Sequence, residues 1–238
     1  MGASKIRSLG LAVATLLVAA AAPFAASAEV FLTPADVPAA LLLPPPPAPG
    51  SAQALAEITE LKTVAAMRTQ AQFDEAARDA KDETGDWFAD SIGPGFDFAK
   101  LPATAKMLAD IHETEEALAG PAKTFFHRDR PWIVEPSLET CTPKKPGPAA
   151  TSYPSGHSTT AFAMAVVLAQ LMPAKAQAIL ARARLFAERR LVCSVHFRSD
   201  IVAGEAFGTA IGLKLMENSG FRKEYDAAAA ELRAAHLR

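Results

Sequence analysis

The chain has 238 residues, of which 50% are hydrophobic, and a formal net charge of -2 at pH 7. This length suits one domain with a sizeable core. The near-neutral charge argues against a nucleic-acid-binding surface and against a polybasic membrane signal, so any charges that bind a ligand must be local.

The N-terminus has the pattern of a secretory signal peptide. Lys5 and Arg7 precede an apolar run over 9–22, and the small residues Ala26-Ser27-Ala28 form a cleavage pattern. The alternative is a membrane anchor, but the run is shorter than the roughly 20 residues that cross a bilayer. We therefore expect residues 1–28 to be removed, leaving a soluble periplasmic protein with no membrane partner.

A proline-rich leader is predicted over residues 29–50. Pro44–Pro47 should be extended polyproline II, so the leader is expected to be a strap rather than part of the core. Ser51 can cap a long helix that runs to about Lys81, the start of a helical domain over 51–238. Its apolar positions recur at helical spacing: Leu55, Ile58, Leu61 and Ala65.

The middle of the chain alternates helical and loop patterns. A Gly/Pro loop carries aromatic residues that could line a pocket but are more typical of a core edge: Trp87, Phe88, Phe96 and Phe98. A helix is expected over about 102–120, ended by Gly120-Pro121, and a short segment after it should stop at Pro131. The proline-rich stretch 132–154 is predicted to be a long loop.

Four further helices are predicted over about 158–172, 174–191, 199–216 and 221–236. No strand pattern is convincing. The fold class is therefore all-α, a single-domain helical bundle with long Pro-rich loops. The very apolar run Thr160–Met172 should be its buried central helix.

Three segments of the chain carry residues suited to binding a phosphate. Lys123, Arg130 and Arg190 are cations that match a phosphate monoester in charge, and arginine also matches it in geometry. Ser155-Gly156 precedes the apolar helix, so backbone N–H groups of its first turn could point at an anion. The chemistry indicated is phosphoryl transfer without a metal.

Two of the five histidines have complementary neighbours. His196 and Asp200 are four residues apart, so on a helix that begins near His196 the carboxylate could orient the ring for nucleophilic attack. His157 would then be the general acid for the leaving group. The remaining histidines are interpreted as exposed residues of charged helices: His112, His127 and His236.

These residues reproduce a known motif, K-x6-R-P, then P-S-G-H, then S-R-x5-H-x3-D. The blocks start at Lys123 and Pro154, and the last begins at Arg189, where the motif has serine. The chain thus resembles the class A bacterial non-specific acid phosphatases, in the type-2 phosphatidic acid phosphatase and vanadium haloperoxidase superfamily. A larger Arg189 must turn outward, which could change affinity or substrate preference.

The resemblance implies a role for each matching residue. Lys123, Arg130, Arg190, Ser155 and Gly156 would hold the phosphate oxygens. His157 would protonate the leaving group, His196 would form a phosphohistidine, and Asp200 would orient His196. The implied activity is broad-specificity hydrolysis of phosphate monoesters, with phosphotransferase side activity, without metal or other cofactor. Inorganic phosphate or vanadate would inhibit, and homo-oligomerisation is left open.

Three other functions fit parts of the pattern. Lipid or prenyl diphosphate phosphatases of the superfamily usually carry several membrane spans, and we expect none in the mature chain after residue 28. A vanadium haloperoxidase would use the same cations to hold vanadate, but the enzymes of that group have longer chains than this one. A non-enzymatic phosphate-binding protein would not need His157, His196 and Asp200 together.

Cys141 and Cys193 are the two cysteines of the chain. If Arg130 and His196 surround one phosphate, the segments that carry the cysteines are neighbours, and export would favour a disulfide between them. The alternative is that Cys193 is a buried free thiol, because the segment before it is apolar.

Overall fold

The computed structural model describes residues 28–144 and 151–238, so the predicted signal peptide lies outside the described residues except for its last position. Within those ranges the chain forms helices and no strand, which confirms the all-α prediction. Two short 3-10 segments, Asp86–Phe88 and Pro173–Lys175, accompany the following α-helices: α1 Ala39–Leu42, α2 Ala52–Met67, α3 Gln70–Asp79, α4 Ala89–Ile92, α5 Pro102–Phe126, α6 Pro131–Val134, α7 Gly156–Leu171, α8 Ala176–Val192, α9 Arg198–Leu215 and α10 Ser219–Ala234.

Helix α7 is the buried centre of the bundle, as predicted. It packs chiefly against α8 and α9, while α5 lies on another side and is covered by α10. Helix α9 approaches α7 closely because glycine recurs on the contact face. A Cβ at Gly208 would lie 2.1 Å from the Thr159 carbonyl oxygen. A larger residue there would force the two helices apart.

The long helix predicted from Ser51 to about Lys81 is two helices. Ser51 does cap α2, but the chain turns at Arg68, which has an extended backbone conformation, and Thr69 caps α3 through a capping box with Gln72. Leu55 follows the apolar spacing of the helix but does not face the core, since it is 56% exposed. A strong internal cap therefore overrode the continuous periodicity.

Helix α5 continues beyond the predicted stop at Gly120-Pro121 and ends at Phe126. Proline at position 121 removes one backbone N–H donor. The helix continues because Leu118 and Ala122, on either side of it, are both buried in the core. Similarly, Pro131 does not stop a segment but begins α6, where its missing N–H leaves no donor unpaired.

The leader contributes to the core, contrary to the expectation of a strap that is not part of the core. Leu32, Val37 and Leu43 are buried, and residues Ala39–Leu42 form a short helix. Pro44–Pro47, predicted to be polyproline II, are not helical. The Glu29 backbone N–H donates to Asp110 on α5 at 2.9 Å. Apolar burial and satisfied backbone donors hold the leader against α5.

Aromatic residues of the Gly/Pro loop close the core edge, as predicted: Trp87, Phe88 and Phe96 are buried, and Phe98 packs against them. The loop after Arg130 contains only the short α6, with residues 145–150 outside the described part. None of the helices in the described ranges has the length and apolarity that a membrane span requires.

Candidate active site

A cavity of about 650 Å³ opens where the C-terminal ends of α5 and α8 meet the start of α7 and the segment before α9. Six of the eight residues predicted to act on phosphate line it: Lys123, Arg130, Gly156, His157, Arg190 and His196. The other two, Ser155 and Asp200, are fully buried and are not among its lining residues. The three segments singled out in the sequence thus meet at one cavity.

His196 lies before α9, not within it. Phe197 is the N-cap, and Asp200 occupies the first turn. The i, i+4 contact still forms, because the Asp200 carboxylate turns back toward the N-terminus of the helix. Its Oδ2 accepts the Phe197 N–H at 2.8 Å and lies 3.4 Å from His196 Nδ1. The contact therefore depends on N-terminal capping rather than on a shared helix face.

The hydrogen bonds of His196 define its tautomer. Arg130 Nη1 lies 2.8 Å from His196 Nε2, and an arginine can only donate, so Nε2 must carry a lone pair. The proton of the neutral ring is then on Nδ1, facing Asp200. Burial, with Arg130 as the next cause, holds the pKa of His196 well below its usual value. The ring therefore presents an unprotonated nitrogen at the cavity wall.

Asp200 is held by a buried polar network that the sequence motif does not predict. Its Oδ1 accepts from Arg128 at 2.6 Å, and its Oδ2 accepts from the Ser152 hydroxyl at 2.6 Å. Burial raises the pKa of Asp200, and the Arg128 charge opposes this rise. The sequence did offer a signal for Arg128, because it stands only two residues before Arg130. Nothing in the sequence singles out Ser152.

Three cations face the cavity. Arg190 is 1% exposed, and its Nη2 donates to the Ala76 carbonyl at 2.8 Å. Burial lowers the pKa of Arg130 and of Arg190 to about 10 each, and it also lowers the pKa of Lys123. Groups buried at this cost are suited to an anion that neutralises them.

The start of α7 forms the floor between these cations. A Cβ at Gly156 would lie 2.9 Å from Lys123 Nζ, so glycine leaves room for the ammonium group or a bound anion. The Ser155 hydroxyl is instead used inside the fold, where it accepts from the Ser158 hydroxyl at 3.0 Å. Ser155 thus caps α7 behind the cavity wall.

Both ring nitrogens of His157 face oxygen acceptors. Nδ1 lies 3.2 Å from Glu83 Oε1, and Nε2 lies 3.3 Å from the Ala80 carbonyl. Burial and the charge of Arg190 nevertheless hold the pKa of His157 well below its usual value. The two acceptors suit the protonated ring, and a bound anion would counter the arginine charge. Glu83 lies in a loop, and its role had no signal in the sequence.

Arg189, which replaces the serine of the motif, points away from the cavity onto α3. Its Nη1 donates to Asp79 at 2.7 Å and its Nη2 pairs with Glu75. The next residue, Arg190, also reaches α3 through the Ala76 carbonyl. Helix α3 therefore anchors the C-terminal end of α8, and Arg189 takes no space from the cavity.

Cys141 and Cys193 are joined by a disulfide, with Cα atoms 4.8 Å apart. The bridge links the loop after α6 to the segment that leads into His196. A backbone hydrogen bond from the Cys141 N–H to the Cys193 carbonyl runs beside it at 3.3 Å. These two links hold the His196 segment against the loop that follows Arg130.

The cavity also has an acidic side, which the sequence motif does not predict. Glu83, Glu115 and Glu116 are among its lining residues. Glu115 is 2% exposed and accepts from the Thr160 hydroxyl at 2.9 Å. A signal was available, because Glu115 precedes Lys123 by eight residues, about two helical turns. The predicted helix end at Gly120 concealed this relation.

The remaining histidines lie away from the cavity wall. His127 and His236 are exposed, as expected. His112 is not simply exposed, because its side chain is 20% accessible and its Nδ1 is buried without a hydrogen-bond partner among the described residues. Over residues 28–144 and 151–238, no group of three or more His, Cys, Asp or Glu residues is arranged to hold a metal ion.

The sequence is similar to known proteins over most of its length. The model of the PAP2 superfamily matches residues 111–223, which include every predicted site residue. An acid phosphatase of Zymomonas mobilis is 31% identical over 82% of this chain and 75% of its own. A non-specific acid phosphatase of Providencia stuartii is 29% identical over 79% and 77%.

The fold is similar to that of a solved structure from the same superfamily. The transmembrane PAP2-type phosphatidylglycerolphosphate phosphatase of Bacillus subtilis superposes with a TM-score of 0.55 over 78% of this chain and 90% of its own, at 18% identity. At that identity the likeness bears on the helical architecture alone.

Proposed function

The chain belongs to the PAP2 superfamily, among the non-specific acid phosphatases, and from this premise we propose that it hydrolyses phosphate monoesters through a phosphohistidine on His196. The observation that carries the proposal is the pair of contacts on the His196 ring. Arg130 lies at Nε2 and Asp200 at Nδ1. The nitrogen that faces the cavity is therefore unprotonated, and its electron pair accepts from Arg130.

The first step forms a bond from His196 Nε2 to phosphorus and breaks the bond from phosphorus to the ester oxygen. Attack places positive charge on the imidazole ring, and the buried Asp200 carboxylate would stabilise that charge through Nδ1–H. Arg130 must leave Nε2 for this attack. The incoming phosphoryl oxygens offer it an anionic acceptor, which is a stronger partner than a neutral ring nitrogen.

His157 would supply the proton that the leaving oxygen needs. Its low pKa in the free protein is caused by burial and by Arg190. A substrate dianion bound between them offsets the arginine charge and raises the pKa, so the ring would be protonated when it is required. In the second step water attacks phosphorus and the bond from phosphorus to His196 Nε2 breaks, which returns the electron pair to that nitrogen. His157 takes a proton from the attacking water, and phosphate leaves.

We propose that the reaction needs no metal. The charge that a metal would neutralise on a phosphoryl group is matched by Lys123, Arg130 and Arg190, which line the cavity. The Arg190 Nε is buried and has no hydrogen-bond partner among the described residues, so it is free to donate to a bound oxygen. Vanadate and inorganic phosphate should inhibit by binding to the same cations.

Three finer points extend the proposal. Export through residues 1–28 would place the enzyme in the periplasm, and the Cys141–Cys193 disulfide is of the kind that forms in such a compartment. An alcohol that replaces water in the second step would give phosphotransferase side activity. Broad specificity among monoesters is proposed from the similarity to proteins named non-specific acid phosphatases.

The test combines a substrate panel with chemical quenching. Nucleotides, sugar phosphates, an aryl phosphate and a lipid phosphate are assayed with and without chelator, and the phosphoenzyme is trapped with labelled substrate. We expect an acid-labile phosphohistidine that is absent in His196→Ala. His236→Asn is the matched control, since asparagine tolerates the positive φ of 56° at that exposed position. A phosphoserine in the wild-type enzyme would contradict the assignment.

A further inference from the structure

Two buried polar atoms near the cavity have no hydrogen-bond partner among the described residues. One is Arg190 Nε, which under the proposed function would donate to a phosphoryl oxygen. The other is Glu115 Oε1, which has no part in the proposed function. The carboxyl group of Glu115 is almost wholly buried, and only its Oε2 is satisfied, by Thr160. An unpaired carboxyl oxygen in such a place is costly unless something binds to it.

Glu115 Oε1 faces the space where a phosphoryl group would be held. Measured from a Cβ built on Gly156, Oε1 lies at 3.7 Å and Lys123 Nζ at 2.9 Å. The carboxyl oxygen and the ammonium group therefore adjoin the same point above the start of α7. Both residues line the cavity, together with Arg130 and Arg190.

The ionisation state of Glu115 decides what it does to an anion. An ionised carboxylate would repel phosphoryl oxygens, whereas the neutral acid has an O–H to donate. Burial raises the pKa of Glu115 to about 7, against the opposing effects of Lys123 and the Thr160 hydroxyl, and with smaller increases from Glu83 and Glu116. A bound dianion adds negative charge at short range and would raise this pKa further.

We propose that Glu115 is a further substrate-binding residue, which holds the phosphoryl group as the neutral acid by donating a hydrogen bond from Oε1 to a phosphoryl oxygen. This rests on the proposed function, which places the phosphoryl group in this cavity. The proton is taken up from solvent before or with the anion and returns to solvent when phosphate leaves. Anion affinity should therefore fall as Glu115 ionises, whatever the state of His157.

The test measures the binding of sulfate to the full mature chain by calorimetry, across a pH range from acidic to alkaline. Sulfate is a suitable probe because it is a dianion throughout that range, so any change in affinity comes from the protein. The wild-type dissociation constant should rise about tenfold for each pH unit above the pKa of Glu115. In Glu115→Gln the amide donates at every pH, so this rise should be absent or much reduced.

Glu113→Gln is the matched control, because Glu113 is an exposed glutamate on the same helix and does not line the cavity. Its pH dependence should follow that of the wild type. If Glu115→Gln also follows the wild type, or if it binds sulfate more weakly by a constant factor with the same pH dependence, the proposal is wrong. The first result would mean that Glu115 is not in contact, and the second that its role is structural.

A second variant covers the case in which Glu115→Gln does not fold. Thr160→Val removes the hydroxyl that donates to Glu115 Oε2, so the pKa of Glu115 should increase and the loss of sulfate affinity should begin at higher pH. If sulfate affinity begins to fall at the same pH in Thr160→Val as in the wild type, the proposal is contradicted. Sulfate binding requires no chemistry at His196, so this inference and the phosphohistidine assignment can fail separately.

Discussion

Arg128 connects the stability of the fold to the state of His196, and its removal should damage both. Its two terminal nitrogens donate to two buried carboxylates, Asp200 and Glu57, each at 2.6 Å. Arg128 is itself only 9% exposed. Arg128→Met keeps most of the side-chain volume but leaves both carboxylates without their cation.

The expected loss is large for a single substitution. Removing one partner of a buried ion pair costs about 3–5 kcal/mol, because the remaining charge stays desolvated. Asp200 can limit this cost by taking up a proton, since burial already raises its pKa and Arg128 opposes that rise. A carboxyl whose folded pKa lies above its unfolded pKa destabilises the fold increasingly as pH rises. The loss of unfolding free energy in Arg128→Met should therefore be smallest at acidic pH and grow toward neutral pH.

Activity should fall for a separate reason. A protonated Asp200 accepts from His196 Nδ1–H only weakly and has no negative charge to offset the positive charge that attack places on the ring. We expect kcat to fall by roughly 100-fold or more. Adding Glu57→Gln to Arg128→Met removes one unpaired charge and should restore about 1 kcal/mol or more of stability without restoring kcat.

Urea unfolding followed by circular dichroism, with kcat measured on an aryl phosphate, tests both effects. Arg184→Met is the matched control. Arg184 is 65% exposed and pairs with Glu188 at 3.6 Å on the helix surface, so its loss should cost under about 1 kcal/mol. A loss below about 1 kcal/mol for Arg128→Met at neutral pH, or full activity in that variant, would refute the reasoning.

Four further outcomes follow from the site. His157→Ala should lower kcat by about 10²- to 10⁴-fold with alkyl phosphates. The loss should be smaller with aryl phosphates, because their leaving groups need little protonation. Equal losses of kcat with both kinds of substrate would contradict the role of His157 as the general acid. Chelator should leave activity unchanged, and a loss that a divalent cation restores would disprove metal independence. Thiol titration of the denatured, unreduced protein should find no free thiol, because Cys141 and Cys193 are bridged, and two reactive thiols per chain would refute the bridge. The disulfide joins residues 52 positions apart, and in the loop-entropy model it stabilises the fold by about 4 kcal/mol. Glu115→Gln should raise the free energy of unfolding by up to about 3 kcal/mol at alkaline pH but not at acidic pH, because only the ionised carboxylate is costly to bury. If the variant and the wild type differ in unfolding free energy by the same amount at every pH, burial of the ionised carboxylate is not the cause.

The residues predicted to act on phosphate were found from spacing and residue type, before any tertiary contact was known. Three blocks at defined spacing identify the cations and histidines, and the structure brings six of these residues to one cavity. The supporting residues could not be found in this way. Ser152 and Glu83 reach the site only because the chain folds back, and neither stands at a spacing that links it to His196 or His157.

Local sequence determined the helices wherever one signal was strong. Helices α7 to α10 lie within a few residues of their predicted bounds, because caps and apolar periodicity agree there. Tertiary structure decided the places where two local signals conflict. Pro121 stays inside α5 because the core holds the helix on both sides of it, and this keeps Lys123 and Glu115 on one helix. His196, which lies before α9, meets Asp200 in the first turn of that helix because a buried carboxylate needs donors, and the N-terminus of α9 supplies one.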